Sequence, residues 1–504
     1  MEYQRSRKPW TSVVTIEFTS LKETQVMQKF LLLLFFIADN VVTGQIPVDS
    51  IRAIIKREVA ARRGKSIIVG IVDSTGNRQI FAEGIISDND SRKPDGSTLY
   101  EIGSITKVFT SLLLADMSLN HQLSVNDPIS KYLAKNIRVP SLNGKEISLL
   151  SLSTHRSGMP RFPYNVDPKN IDEPYADYTA EKLYEYISNF QPPDIDTVWR
   201  YSNVGYGLLG LILEKIAQKN YETLVTQKIC KPLNMGNTVI LMNAQQTMNA
   251  AVGHAETGTY VGFTDLGAIS AGGALRSNIN DLLTFAEANL GLIQTDLFPA
   301  MQLTHILQAK KDGINTYTTM GWTLTNDNGS YLLFKDGGMP GFRSFLGIDK
   351  INKIGVVVLC NSNNSVTDIG RHILDSNRMI EPYQYPWALL DTMRATIHTA
   401  GVNAAIDLYF KLKNLKNTPF IFNETELNYL GNELRKSKKI KDAIKIYELN
   451  AKEYPQTTLV YENLAETYRR NNNKRKAKEY FEQARALDSQ NPHFTYVLER
   501  IDKY

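Results

Sequence analysis

A serine and a lysine stand one helical turn apart in the stretch EIGSITKVFTSLLL, residues 101–114. The apolar residues after them predict a buried helix, and Ser104 lies near its amino end, where backbone N–H groups favour developing negative charge. Lys107 shares one helix face with the serine. Because burying an unpaired ammonium is costly, we interpret Lys107 as an activator of the serine hydroxyl. The pair indicates nucleophilic catalysis.

Two later stretches carry polar groups of the same kind. WRYSNVGYGLLGLILEKIA, residues 199–217, places Tyr201 and Asn203 just before a second buried helix. FKDGGMPGFRSFLGID places Lys335 and Gly337 at the end of a predicted strand, and the glycines after them let a backbone approach a ligand closely. A lone Ser-x-x-Lys pattern arises by chance in a chain of this length, so the later stretches strengthen the assignment.

In their order along the chain, these three motifs resemble those of class C β-lactamases, which D-alanyl-D-alanine peptidases and family VIII carboxylesterases share: Ser104-x-x-Lys107, Tyr201-x-Asn203 and Lys335-x-Gly337. The flanking sequences YEIGSITKVFTSLLLADM, LSVNDPISKYL, LSTHRSGMP and KPLNMGNT are similar to that superfamily too, and the likeness runs from about residue 50 to 375. The class A pattern, S-D-N with a separate glutamate, differs from the tyrosine-containing second motif.

The resemblance implies a role for each motif residue. Ser104 is the nucleophile, and Lys107 and Tyr201 share its activation, with flanking ammonium groups holding the tyrosine as a phenolate base near neutral pH. The N–H groups of Ser104 and Gly338 form the oxyanion hole. No metal or cofactor is implied. The resemblance also implies these substrate-binding residues: Asn203, Lys335, Gly337, Gly338 and Arg343.

The third motif departs from the β-lactamase pattern at Asp336, where threonine is usual. A threonine hydroxyl helps to hold a substrate carboxylate, whereas an aspartate that faces the cleft repels it; Arg343 would restore positive charge, and Asn361 or Asn364 would contact substrate. We therefore expect acyl-enzyme hydrolysis of D-amino-acid peptides, amides or esters. The alternatives are a true class C-type β-lactamase and a catalytically weak binding protein. His155 is expected to hydrogen-bond locally rather than to act as the base.

Early and late strands must position these motifs. SIIVGIVD and RQIFAEGII predict two strands before the serine helix, and GSYLLFKD, FRSFLGID and KIGVVVLCN predict strands after the second one. The simplest arrangement pairs them in one antiparallel sheet against which a mainly helical middle packs. With the resemblance, this pattern predicts an α/β (α+β) β-lactamase/transpeptidase-like fold over residues 45–378, followed by an all-α module over residues 386–504.

The chain beyond about residue 378 loses its strand signals and contains an internal repeat. Its period and its small residues at the helix crossing resemble tetratricopeptide repeats. We expect this tail to be dispensable for chemistry and to bind a protein or peptide through a concave face that bears Asn432, Arg435 and Glu466. Six positions recur 34 residues later: Leu427, Leu430, Gly431, Leu434, Ala443 and Tyr447 correspond to Tyr461, Leu464, Ala465, Tyr468, Ala477 and Phe481.

The bulk properties are those of a globular protein. A net charge of +5 over 504 residues, without a basic stripe among aromatics, argues against a dedicated nucleic-acid binder. Cys230 and Cys360 have neither metal-ligand nor CxxC spacing, and a disulfide between them stays open. MQKFLLLLFFIADNVVTGQ, from Met27, has the pattern of a secretory signal, so we expect residues 1–44 to be an extension and signal peptide. The mature protein would be periplasmic or secreted, without a stable membrane span.

Overall fold

The computed structural model describes residues 48–311, 315–327 and 330–503, and the expected signal peptide lies outside the described residues. The strands are β1 Ser66–Val72, β2 Arg78–Gly84, β3 Tyr100–Glu101, β4 Ser141–Leu142, β5 Lys145–Glu146, β6 Gly253–His254, β7 Tyr260–Val261, β8 Arg276–Ser277, β9 Ala309–Lys310, β10 Thr316–Thr318, β11 Thr323–Asp327, β12 Ser330–Met339, β13 Phe342–Asp349 and β14 Ile354–Cys360.

The helices alternate with these strands up to residue 374 and continue alone after it. They are α1 Val48–Ala60, α2 Thr106–Leu119, α3 Leu149–Ser153, α4 Ala180–Asn189, α5 Asn203–Ala217, α6 Tyr221–Val225, α7 Ala244–Met248, α8 Ile279–Leu290, α9 Phe298–Thr304, α10 Thr367–Leu374, α11 Ala388–Ala400, α12 Val402–Lys413, α13 Glu424–Lys436, α14 Ile440–Glu453, α15 Thr458–Arg470, α16 Lys474–Leu487 and α17 Pro492–Leu498. We call residues 48–378 the sheet region and residues 388–503 the helical tail.

One eight-stranded antiparallel sheet organises the sheet region, in the order β2-β1-β14-β13-β12-β11-β10-β9. The first and last long strands are neighbours, and Ile67 in β1 lies opposite Cys360 in β14. The predicted pairing of early with late strands is therefore confirmed. Smaller two-stranded sheets join β3 with β8, β4 with β5, and β6 with β7.

Both faces of the central strands are covered, which explains their continuous apolar sequence. Alternate residues of β1 point to opposite sides. Ile67 and Val69 belong to the apolar cluster that includes α1 and α10, whereas Ile68 belongs to the main core with α8. At Gly70 a β-carbon would stand 2.7 Å from Ile279, so the glycine permits the close approach of α8 to the sheet.

Helix α2 lies at the centre of the main core. Eleven of its fourteen residues are buried. The helix has apolar residues on nearly every side because it is enclosed on nearly every side. Within this helix Lys107 is fully buried. The predicted buried helix is confirmed, and the titratable side chain of Lys107 is buried with it.

The helical tail has an apolar core of its own. Helix α13 begins 34 residues before α15, and α14 begins 34 residues before α16, which is the period of the sequence repeat. That these pairs are tetratricopeptide repeats stays a prediction. The described residues belong to one compact unit, in which side chains of the helical tail are hydrogen-bonded to the sheet region.

The face of the tail that we expected to bind a partner lies partly against the sheet region instead. Arg435 donates to Asp172 of that region at 2.8 Å. Glu466 pairs with Arg469, which itself reaches the sheet region. Asn432 accepts a hydrogen bond from Arg435. Salt bridges within the chain therefore occupy part of this face, and the binding of a protein or peptide partner there stays a prediction.

Two smaller expectations concern cysteines and membranes. Cys230 and Cys360 are both buried free thiols, so the disulfide that the sequence left open is absent from this fold. Within the three described ranges, no helix combines the length and the apolar character needed to cross a bilayer.

Candidate active site

The turn before α2 presents Ser104. Residues 103–105 form a 3-10 turn that leads into the helix, and Gly103 has a φ of +49°, a left-handed conformation that favours glycine. A β-carbon on Gly103 would stand 2.7 Å from the backbone nitrogen of Gly338. The glycine thus lets the turn of the first motif meet the strand of the third motif.

Lys107 makes three contacts from its buried position on α2. Its Nζ donates to Asn203 Oδ1 at 2.7 Å and to the carbonyl oxygen of Gly272 at 2.5 Å. The same nitrogen lies 3.3 Å from Ser104 Oγ. The first two motifs therefore meet around one amine.

Tyr201 precedes α5, and its hydroxyl is hydrogen-bonded to Ser104 Oγ. The next residue, Ser202, caps α5 by accepting from the Gly205 N–H at 2.8 Å, which fixes the backbone beside the tyrosine. The Ser202 N–H donates to His155 Nδ1 at 3.1 Å, and the imidazole packs 4.5 Å from the Tyr201 ring. His155 thus has the local hydrogen-bonding place that we expected for it.

The third motif lies at the end of β12. The Lys335 ammonium stands 5.2 Å from the centroid of the Tyr201 ring, and the lysine is only 6% exposed. At Gly337 a β-carbon would stand 2.0 Å from the carbonyl oxygen of Ile102, so this close approach requires glycine. All three predicted motifs converge on Ser104.

Burial sets the protonation states in this cleft. Desolvation, followed by the charges of Lys335 and Arg161, lowers the pKa of Lys107 well below its ordinary value. Desolvation also lowers the pKa of Lys335 to about 8, although Asp336 opposes it. For Tyr201, desolvation dominates and raises the pKa to about 12, against the hydrogen bond from Ser104.

The expected phenolate form of Tyr201 stays a prediction, and burial opposes it. Two flanking ammonium groups lower the pKa of the phenol, but burial disfavours a phenolate more strongly than those cations favour it. Burial acts in the opposite sense on an amine, since it disfavours the charged form of Lys107. Burial thus favours the neutral amine of Lys107 and the protonated phenol of Tyr201.

Two further residues that the sequence singled out, Asp336 and Arg343, belong to β12, which carries the third motif, and to its neighbour β13. Asp336 is exposed and close enough to raise the pKa values of Lys335 and Tyr201. Arg343 Nη1 donates to the carbonyl oxygens of Met339 and Phe342, at 3.0 and 2.8 Å, so this nitrogen supports the turn between β12 and β13. Its role in substrate binding stays a prediction.

The two asparagines after β14 are engaged away from the cleft. Asn361 is fully buried, accepts from the Ser66 N–H at 2.6 Å and donates to the carbonyl oxygen of Ile86. Asn364 donates to the carbonyl oxygen of Arg63. The expected contact of Asn361 with substrate is therefore wrong, because its amide is enclosed and hydrogen-bonded to backbone groups instead.

The sequence did not predict three residues of the cleft, which are Gly272, Arg161 and Lys311. The Gly272 carbonyl belongs to a 3-10 segment far from the motifs in sequence. The Arg161 guanidinium stands 5.5 Å from the Tyr201 ring centroid, and Lys311 Nζ stands 4.5 Å from that of Trp199. Loop residues of this kind have no local pattern that predicts where the fold brings them.

Comparisons with known proteins agree with this geometry. The family described as Beta-lactamase matches residues 51–376. The D-alanyl-D-alanine-carboxypeptidase/endopeptidase AmpH of Escherichia coli (strain K12) is 26% identical over 309 residues, which is 58% of this chain and 78% of that protein. A Beta-lactamase of Lysobacter lactamgenus is 26% identical over 345 residues, 61% of this chain and 86% of that protein.

A solved structure gives the same fold. The class C beta lactamase from Rhodobacter sphaeroides aligns with a TM-score of 0.57 at 21% identity, over 65% of this chain and 98% of that structure. The family match ends at residue 376, before the helical tail begins. Because that match spans well over half of the sequence, the chain belongs to the beta-lactamase family, whose members are serine hydrolases.

Proposed function

We propose that this protein hydrolyses D-amino-acid peptides, amides or esters through an acyl-enzyme on Ser104. The observation that carries the proposal is the double contact of Ser104 Oγ, which meets the Tyr201 hydroxyl on one side and Lys107 Nζ at 3.3 Å on the other. A hydroxyl held between an acid and a base can lose its proton as it attacks.

Lys107 serves as the base that activates Ser104. A neutral amine has two N–H donors and one lone pair. Asn203 Oδ1 and the Gly272 carbonyl accept from the two donors, so the lone pair is left for the third neighbour, which is Ser104 Oγ. The lowered pKa of Lys107 supplies the neutral form that this arrangement needs.

The reaction then proceeds in two balanced halves. Ser104 Oγ bonds to the substrate carbonyl carbon while its proton passes to Lys107 Nζ. The bond to the leaving amine or alcohol breaks as that group takes a proton from the Tyr201 hydroxyl, which the Lys107 ammonium reprotonates. In the second half water takes the place of the leaving group and the same transfers run in reverse. Water bonds to the acyl carbon and gives a proton to Tyr201, while Tyr201 passes its own proton to Lys107. The bond to Ser104 Oγ then breaks as Lys107 returns the proton to the serine, and the acid is released.

The same turn and strand stabilise the oxyanion of each tetrahedral intermediate. The Ser104 N–H lies at the start of α2, and the backbone of Gly338 abuts Gly103. Two backbone donors in this place would each contribute about 3 kcal/mol to transition-state stabilisation. Lys335 adds a buried positive charge for a substrate carboxylate, since its ammonium form persists below a pKa of about 8.

The substrate class rests on Asp336 and on the named relatives. An exposed carboxylate beside Lys335 weakens the capture of carboxylate-bearing β-lactams, and one relative is a D-alanyl-D-alanine carboxypeptidase/endopeptidase. The signal pattern from Met27 supports a periplasmic or secreted location. The second candidate is β-lactam hydrolysis, which the name of the Lysobacter relative favours.

The test is a substrate panel on the full chain. It measures release of D-alanine from acetyl-Lys-D-Ala-D-Ala, hydrolysis of p-nitrophenyl acetate and opening of a chromogenic cephalosporin, each with a Ser104→Ala control. We expect peptide and ester turnover to exceed cephalosporin turnover and to vanish in the control. Turnover of the cephalosporin alone would establish the second candidate, and turnover that survives Ser104→Ala would overturn both.

A further inference from the structure

A cavity of about 1480 Å³ lies between the sheet region and the helical tail. Residues 254–264 form one wall, and the tail forms the opposite wall with Arg394, Tyr429, Glu433 and Lys436. Small-molecule sites usually measure ~300–1000 Å³, so this space suits a longer ligand. None of the three catalytic motifs lines it, so the proposed mechanism leaves its purpose open.

The cavity begins where the active-site strand ends. Pro340, in the turn between β12 and β13, lines the cavity. It follows Gly338 by two residues, a span of about 7 Å in extended chain. Gly338 in turn abuts the Ser104 turn through Gly103. Thr264 lines the cavity as well, and its N–H donates to Glu101 at 2.9 Å, just before that turn. Two backbone segments thus run from the reacting serine to the cavity.

Hydrogen bonds join the sheet region to the helical tail beside the cavity. Glu256, in the wall of the sheet region, accepts from Tyr429 of the tail at 2.7 Å and from Asn363 at 3.1 Å. Asn363 also accepts from the Gly341 N–H at 2.6 Å, in the turn that Pro340 begins. Through Glu256 and Asn363, the tail is therefore hydrogen-bonded to the turn between β12 and β13, which lies between the cavity and the cleft.

Salt bridges lie within the tail wall of the cavity and between the tail and the sheet region. Arg394 Nη2 pairs with Glu433 at 2.7 Å within the tail, and Thr259 of the opposite wall is hydrogen-bonded to that carboxylate at 2.5 Å. Arg435 reaches Asp172 across the interface at 2.8 Å. These contacts join the wall of the sheet region to the wall of the tail.

The charges of the lining favour an anionic ligand. Six arginine and lysine side chains line the cavity against four carboxylates. Asp172, Glu256 and Glu433 are carboxylates already engaged by the contacts above. Lys436 and Lys439 are exposed lysines of the tail side, and Lys436 comes only within 4.0 Å of Asp172. Four of the six cations are themselves ion-paired: Arg62 with Asp391, Lys65 with Asp88, Arg394 with Glu433 and Arg435 with Asp172. Outside these pairs and the hydrogen-bonded Glu256, Lys436 and Lys439 of the tail stand against Glu173, so the lining keeps a net positive charge.

We propose that this cavity binds the remote, anionic part of an extended peptide whose reacting carbonyl lies at Ser104. The inference rests on the proposed peptidase function: in the release of one terminal residue, the rest of the peptide belongs to the acyl group. An extended chain advances about 3.3 Å per residue, so about three residues span the path along Gly338 to Pro340. Shorter peptides end before the cavity.

Binding to the full-chain Ser104→Ala protein tests this without turnover. Calorimetry compares acetyl-Lys-D-Ala-D-Ala with the acidic hexapeptide acetyl-Glu-Ala-Glu-Lys-D-Ala-D-Ala and its neutral Gln-for-Glu counterpart. We expect the acidic hexapeptide to bind about tenfold more tightly than the tripeptide, with the neutral hexapeptide between them. Equal dissociation constants for the tripeptide and the acidic hexapeptide would overturn the proposal.

A matched pair of double variants locates the effect. Lys436→Gln/Lys439→Gln removes two charges from the lining, whereas Lys438→Gln/Lys441→Gln removes two charges from neighbouring exposed positions outside it. We expect the first pair to reduce affinity for the acidic hexapeptide to that of the neutral one, and the second to leave it unchanged. Equal losses in both pairs would contradict a site in the cavity.

A second measurement covers the case in which the lining variant is unstable. The acidic hexapeptide, with a benzophenone at its amino end, is photo-crosslinked to Ser104→Ala with no other substitution, and the labelled residues are mapped by mass spectrometry. Labelling within residues 254–264 or 429–439 is expected, and labelling elsewhere overturns the proposal. D-alanine release by the unsubstituted chain reports separately on the peptidase function: its absence refutes that function, while length-dependent binding still decides the cavity.

Discussion

The assignment of Lys107 as the base predicts unequal effects of two conservative substitutions. Tyr201→Phe keeps the ring, which packs 4.5 Å from the His155 ring and 4.7 Å from Lys107 Nζ, and removes only the hydroxyl bonded to Ser104. Lys107→Met keeps the length of the buried side chain and removes the lone pair. If the amine is the base, the second change should slow acylation far more than the first.

The magnitudes follow from what each change removes. A nitrophenolate leaves without taking up a proton, so with a nitrophenyl ester the general-acid role of Tyr201 is not needed. Loss of its hydroxyl then deletes one hydrogen bond to a group that gains charge, worth ~1.5–3 kcal/mol, or roughly 10- to 150-fold in rate. Loss of general-base catalysis costs ~10²- to 10⁴-fold. Lys107→Met also leaves Asn203 Oδ1 and the Gly272 carbonyl without their donor, so its melting temperature must be measured beside its rate.

The assay is stopped-flow acylation by a chromogenic ester as a function of pH. A base must be unprotonated, so kcat/KM should rise with pH through the lowered Lys107 pKa and then level off. Tyr201→Phe should keep this rise at a lower plateau, whereas Lys107→Met should lose it. If Tyr201→Phe abolishes the rise and costs as much as Lys107→Met, the tyrosine is the base and the reasoning from burial fails.

Three further predictions can be checked with the same protein. Ser104→Ala should abolish hydrolysis and leave the melting temperature close to that of the native chain; turnover by the folded variant would remove Ser104 as nucleophile. Asp336→Asn should move the acid limb of kcat/KM to lower pH, because Asp336 raises the Lys107 pKa. Asp336→Thr should speed capture of carboxylate-bearing β-lactams where Lys335 is charged, and this range should end below pH ~8 because Asp336 also raises the Lys335 pKa; native cephalosporin turnover at the rate of a dedicated lactamase would contradict this. Truncation after residue 380 should lower the melting temperature but retain small-ester hydrolysis, and a folded, inactive fragment would show that the helical tail contributes to the chemistry.

Periodicity in the sequence was sufficient to predict the framework. Strands β1 and β14 are buried on both sides and are continuous apolar runs, so their existence and antiparallel pairing could be anticipated. The meeting of Ser104, Lys107, Tyr201 and Lys335 came from the ordered motifs, since spacing along the chain alone does not bring residues 97 apart into contact.

Protonation and the position of the tail were beyond prediction. Whether burial or nearby charge decides the Tyr201 pKa depends on how fully the fold encloses the ring, which no local pattern records. The repeat shows which side of each tail helix is apolar, and that side does form the core. It gives no information on what covers the polar side, where Arg435 meets Asp172.

The adjacency of β1 and β14 has a consequence for how the chain acquires its structure. Ile67 pairs with Cys360, so the centre of the sheet joins segments about 290 residues apart. Closing such a loop is slow, and during synthesis β1 must wait for β14 to leave the ribosome while apolar helices such as α2 are already made. The tail, built from neighbouring hairpins of helices, has local contacts and can form quickly once translated. The slow event in folding should therefore be sheet closure, and chaperone dependence should concentrate in the stretch between β1 and β14.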